Sequence, residues 1–99
     1  MRQIDRDARR AFMDNKKFKS SNTKVEIVDG KPHMYLFGNL IAKRNKNGEL
    51  LIRHGGWETV TTMARLNAFV GVNIRCHKGS FILNEMTYMN SDWYNIDKL

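Results

Sequence analysis

Three dipeptides, Asp29-Gly30, Asn47-Gly48 and Lys78-Gly79, divide most of this chain into short runs. Such pairs supply the positive φ that a two-residue hairpin loop needs, so each marks a place where the chain reverses. Between them hydropathy alternates with a period of two. From Thr23 to Val28, Val25 and Ile27 fall on one side and Lys24 and Glu26 on the other. That alternation is the signature of a strand with one face buried. The return strand runs from His33 to Phe37, and Gly38-Asn39 suggests a bulge or bend before Leu40-Ile41-Ala42. A third strand covers Glu49 to Arg53, and its Leu50-Leu51-Ile52 core reads as a central strand covered on both faces. A last hairpin joins Val72–His77 to Ser80–Leu83. Hairpin connections throughout require an antiparallel sheet.

Two segments break this pattern. Over residues 3–14, Ile4, Ala8, Ala11 and Phe12 gather on one face at 3.6-residue spacing, while Arg2, Arg6, Arg9 and Arg10 take the other. Asp5 stands four residues before Arg9, within reach of an ion pair on one helix surface. After Gly55-Gly56, threonines at 59, 61 and 62 offer helix caps, with Thr61 or Thr62 as the first choice. A short helix from about Thr62 to Phe69 would turn Met63, Leu66 and Val70 inward and end at Gly71. The expected fold is α+β: a small antiparallel sheet of about five strands with an N-terminal helix and a short central helix, in the order α-β-β-β-α-β-β, with helices on one face. Residues 1–99 form one domain, made of a basic helix and connector at 1–20 and a sheet core at 21–99, and the sequence leaves open whether the helix docks on the core or moves freely. The tail from Thr87 to Ile96, with Tyr88, Trp93 and Tyr94, covers an open end of the core.

Composition narrows the function. The 99 residues carry 17 Lys and Arg against 10 Asp and Glu, a net charge of +7. Seven basic and three acidic residues fall in 1–20, and Lys43, Arg44, Lys46 and Arg53 stand against Glu49 in 43–53. Charge at this density makes polyanions natural contacts. No apolar run approaches the roughly 18 residues of a membrane span, and the charged N-terminus lacks the apolar middle of a signal peptide, so a cytoplasmic setting is expected. The single cysteine, Cys76, cannot form an internal disulfide and reads as a small buried hydrophobe in its strand.

Signatures of catalysis are missing from the sequence. His33, His54 and His77 lie about twenty residues apart, and Cys76 and His77 point to opposite sides of one strand, so no metal-ligand spacing exists. There is no phosphate loop, no nucleophile with a local signature and no paired carboxylates. Neither a cofactor nor a catalytic residue is assigned.

Three runs carry a resemblance. Tyr35-Leu-Phe-Gly-Asn-Leu-Ile-Ala42, Gly56-Trp-Glu-Thr-Val-Thr-Thr-Met-Ala-Arg-Leu-Asn-Ala68 and Phe81-Ile-Leu-Asn84 resemble a group of small tailed-bacteriophage accessory proteins, over about residues 20–85. The middle run is the specific one. Where that pattern places Gly after the closing Leu-Asn, this chain has Glu85. The resemblance implies a phage protein made in a host bacterial cytoplasm and assigns no residue a role. Physically, the middle run reads as a folding element, its threonines capping the helix and Trp57 packing beneath. The alternative is a binding patch of Trp57, Thr61 and Arg65.

The leading functional reading is a non-enzymatic protein that binds nucleic acid or a nucleoprotein machine through a basic surface. Arg2, Arg6, Arg9, Arg10, Lys16, Lys17 and Lys19 would join Lys43, Arg44, Lys46, Arg53 and Arg65 on one electropositive face, with Tyr35, Phe37 and Trp57 as aromatic contacts. A second reading is an anti-defence or host-takeover inhibitor that binds a host protein directly, with the Trp93 and Tyr94 tail as its anchor. A third is a small phosphodiester-cleaving enzyme using Arg53, His54, Thr61 and Arg65.

Overall fold

The computed structural model describes every residue from 1 to 99. Helix α1 (Gln3–Met13) leads into β1 (Phe18–Ser20), β2 (Thr23–Val28), β3 (Lys31–Leu36), β4 (Asn39–Arg44) and β5 (Leu50–Ile52). Helix α2 (Val60–Asn67), β6 (Ile74–His77), β7 (Ser80–Leu83), β8 (Thr87–Tyr88), β9 (Tyr94–Asn95) and a 3₁₀ turn at Ile96–Lys98 follow. The fold is α+β, as expected, but its strands form two antiparallel sheets. One has six strands in the order β1-β2-β3-β4-β5-β9, and the other has three in the order β6-β7-β8.

The register fixes which side chains share a face. Phe18, Val25, Met34, Ala42, Ile52 and Tyr94 oppose one another in sequence across the six-stranded sheet. All six belong to the core or pack against it. Helix α1 lays Ala8, Ala11 and Phe12 on this row, and the Phe12 ring meets Phe69 edge-on at 5.0 Å. The β6–β7 hairpin adds Ile74, Phe81 and Leu83 from the same side. Each large side chain fully withdrawn from water contributes roughly 1.5–3 kcal/mol before chain entropy is counted. Helices and hairpin all lie on one side, so the sheet's other face stays open.

Several local expectations are corrected. The bend foreseen at Gly38-Asn39 is a full reversal: Phe37 and Gly38, with φ of 50° and 82°, form the loop between paired Leu36 and Asn39. The irregularity falls between β3 and β4, where Ile41 is the extra residue between the Met34–Ala42 and Tyr35–Leu40 pairs. The central helix starts two residues early, because Thr59 is its cap and accepts the Thr62 N–H at 3.2 Å. Val70 therefore lies beyond the helix and is exposed, and Cys76 is exposed as well, although the register sets it opposite the buried Phe81. Leu51 is only half-buried, since nothing covers β5 on its open side.

The N-terminal helix is integral to the core, and Asp5 is the reason. It ignores Arg9 and turns inward, where it pairs with the buried Arg65 of α2. Arg65 also donates through Nε to the Thr23 hydroxyl at 2.9 Å and through Nη2 to Asn22 Oδ1 at 3.2 Å. One guanidinium thus ties α1, α2 and the start of β2 together. The planar fork of arginine suits three partners in one plane, which a lysine could not serve.

Candidate functional site

The open face of the six-stranded sheet carries the alternate residues of each strand. In register, Lys19, Lys24, Tyr35 and Leu40 form one row, and Glu26, His33, Lys43, Leu51 and Asn95 form the next. Lys24 lies over the Tyr35 ring at 5.2 Å, and His33 stands 6.4 Å from Tyr35. At the far side the Trp93 ring, just before β9, has the Lys43 ammonium at 4.5 Å and the Arg53 guanidinium at 4.4 Å. Arg53 is held there by its Nε donating to the Leu40 carbonyl at 2.8 Å. The result is a path of aromatic rings and cations across the sheet that steps between the two rows, from Lys24 and Tyr35 through His33 and Lys43 to Trp93 and Arg53. Tyr35 and Trp93 sit about three strand spacings apart, roughly 14 Å.

Charge on this face is mostly positive. Lys17 and Lys19 border it at β1, and Lys24, Lys43 and Arg53 stand on it, against Glu26 and the turn residue Asp29. Glu26 is paired with Lys24 at 3.0 Å, and this partner, with Lys17 nearby, holds its carboxyl below the usual range. Burial among its neighbours pushes the His33 imidazole below its ordinary value; Lys43 adds to that shift and Asp29 opposes it. A desolvated imidazole beside an ammonium is poised to gain a proton when an anion arrives.

The single electropositive surface expected from the sequence does not exist. Lys43 and Arg44 are neighbours on one strand and point to opposite faces of the sheet. Arg44 lies on the helix side, its guanidinium 5.4 Å from the Phe12 ring and its Nη2 donating to Met13 Sδ at 3.2 Å. It shares a small cavity of about 140 Å³ with Arg9. Arg2, Arg6 and Arg10 are exposed on the outer surface of α1, with the whole sheet between them and Lys43. Lys16 and Lys46 are exposed in the loops that follow α1 and β4. Arg65 leaves the candidate set altogether, being 2% exposed and committed to Asp5.

Of the aromatic contacts, Tyr35 lies on the open face as required. Phe37 and Trp57 are instead at the sheet's end, 68% and 55% exposed, on either side of a cavity. Trp57 therefore does not pack beneath α2. His54 is buried edge-on against Phe81 and accepts the Gly56 N–H at Nδ1, out of reach of any surface substrate. Lys24 was absent from the binding set read from the sequence, and Trp93 entered only as part of the tail anchor of the protein-binding reading. The alternation of β2 could have supplied Lys24. Trp93 needs the pairing of β9 with β5, which no local pattern announces.

The motif residues act largely as braces. Asn67 both donates to and accepts from Ile74, fixing the start of β6. Asn84 accepts the Asn73 N–H and donates to the Gly71 carbonyl. Glu85, standing where glycine was expected, adopts a φ of 61° and accepts the Arg75 Nε at 2.7 Å. No helix is long and apolar enough to cross a membrane. No curated protein and no solved structure matches the chain. A family model described as Kyanoviridae Gp96 protein does match, over residues 1–99, and the chain accordingly belongs to that family of bacteriophage proteins.

Proposed function

We propose that this phage accessory protein binds single-stranded nucleic acid across the open face of its six-stranded sheet, in the cytoplasm of the infected cell. The observation that carries the reading is that both large rings of the open face are paired with cations: Tyr35 with Lys24, Trp93 with Lys43 and Arg53. Single strands are held by stacking of bases on aromatic faces and by cations that follow the backbone. The sheet supplies both on one rigid surface. The half-buried Leu40 and Leu51 between them offer the sugar and base edges an apolar floor.

Binding follows salt accordingly. With four or five cations engaged, the logarithm of affinity for a labelled single-stranded oligonucleotide falls with log salt at a slope of about −3. An affinity that stays level between low and moderate salt rules the reading out. A duplex of the same sequence binds more weakly, because its bases are unavailable for stacking.

His33 gives a second, independent readout. In the free protein its imidazole titrates below the ordinary value of 6.5. In the folded state the neutral form is favoured, so the unfolded chain binds more protons between the two midpoints. Stability therefore declines as pH drops through that window. Bound phosphate reverses the balance: the midpoint moves up, and oligonucleotide affinity rises as pH falls through it. Proton NMR of the imidazole with and without oligonucleotide measures both midpoints. No upward movement on saturation places the strand elsewhere.

A further inference from the structure

The residues of the family-like motifs not absorbed by the fold converge at one end of the sheet. Phe37 and Trp57 flank a cavity of about 370 Å³ whose floor is Leu36 and Ile41 and whose polar groups include Asn39 and Thr61. Both rings are mostly exposed, although neither contributes to the core.

Phe37 is the one aromatic among the seven non-glycine residues with a positive φ; Lys78 opens a like turn at φ 51°. Phe37 occupies the first position of a two-residue turn at a φ of 50°, in the left-handed region where asparagine or glycine fits and a bulky aromatic is strained. Its N–H is satisfied by the Asn22 carbonyl at 2.8 Å, which holds the turn in place. Strain of this kind, retained at an exposed aromatic beside a cavity, points to a ligand.

The cavity lies at the end of the sheet, beside the β3–β4 turn, with Phe37 at its rim. A separate shallow groove lined by Lys19, Lys24, Phe37 and Gly38 shares Phe37 with the cavity, and its two lysines belong to the same cross-strand row as Tyr35. Two cations thus mark a phosphate path between the Tyr35 platform and the Phe37–Trp57 pair.

We propose that this cavity receives one unstacked nucleobase from a strand lying on the open face, held by Phe37 and Trp57, with Asn39 and Thr61 meeting its polar edge. The site rests on the single-strand reading above and extends it from sheet-face stacking to capture of a single base. A pocket of this size, apolar with a few polar groups, suits a planar heterocycle.

The two tryptophans make the test separable. In the full-length protein labelled with ¹⁵N, the indole N–H signals of Trp57 and Trp93, assigned with Trp57→Phe and Trp93→Phe, report the cavity and the open face respectively. Adding a single-stranded decanucleotide is expected to shift both. A shift at Trp93 alone overturns the cavity proposal and leaves the single-strand reading standing; a shift at neither overturns both. Phe37→Asn supplies the variant that cannot fail for want of folding, because it creates an Asn-Gly turn. It is expected to melt at or above the parent temperature while oligonucleotide affinity drops about 5- to 150-fold, the loss of one stacked base. Unchanged affinity in a well-folded Phe37→Asn protein rejects the site.

Discussion

Arg65→Ala is expected to destabilise the protein by about 3–5 kcal/mol, because it strands a buried carboxylate without its partner. Asp5 would keep only the Arg2 N–H at 3.0 Å and the exposed Arg2 side chain at 3.7 Å. The Thr23 hydroxyl and the Asn22 side-chain carbonyl lose their donor as well, although each still has the other, at 2.7 Å. Domains of this length have about 5–15 kcal/mol of stability in total, so the loss takes a large share of it. At about 4–8 °C per kcal/mol, thermal unfolding followed by circular dichroism should move down by about 12–40 °C. Arg65→Lys should fall well short of rescue, since a single ammonium cannot serve three acceptors in a plane. Replacing both partners by apolar residues, Asp5→Leu with Arg65→Met, should recover most of the loss, because neither charge is then left buried. A melting temperature for Arg65→Ala within about 3 °C of the parent would show that the pair does not hold the helix to the core.

The same residues show how far the sequence could be read. Turn dipeptides and period-two alternation located β2, β3, β5 and the β6–β7 hairpin, because those signals are local. The Phe37-Gly38 reversal was missed, since phenylalanine is the wrong residue for a left-handed turn and the glycine alone looked like a bend. The pairing of Asp5 with Arg65 spans sixty positions, yet it left a trace: Asp5 stands seven residues before Phe12, two helical turns away on the apolar face. A carboxylate on a buried stripe requires a buried cation, and Arg65, beside Leu66 and one turn after Thr62, meets that requirement. Reading Asp5 as a surface partner of Arg9 overlooked its position on the wheel. The candidate site was less legible. Counting charge along the chain merged Lys43 with Arg44, which a strand sends to opposite faces, and it joined both to an arginine stripe on the far side of the sheet. Trp93 was read as a tail anchor and not as part of the sheet face, because β9 is two residues long and gains its place only by pairing with β5.

That division between two basic surfaces sets up the sharpest contrast among variants. Trp93→Ala removes one stacking platform and the ring that holds Lys43 and Arg53 in place, and Tyr35→Ala removes the other. Each is expected to weaken single-strand binding by about 1–3 kcal/mol, the value of one stacked base. The two sites are far enough apart for their effects to add, so the double variant should lose about 2–6 kcal/mol, a fall in affinity of roughly 30-fold or more. Both side chains are only half-buried on a face that packs against nothing, so the fold should survive, as circular dichroism can verify. The comparison is the triple variant Arg2→Ala, Arg6→Ala, Arg10→Ala, which removes more positive charge but from the outer side of α1. If binding came from net charge alone, the triple variant would be the weaker binder, since it drops three cations and the double variant drops none. If the open face is the site, the order is reversed, and the triple variant keeps most of its affinity at moderate salt, where charges beyond about 10 Å are screened. Fluorescence anisotropy with one labelled oligonucleotide at two salt concentrations ranks the variants, and a triple variant weaker than the double would move the binding surface from the sheet to the helix.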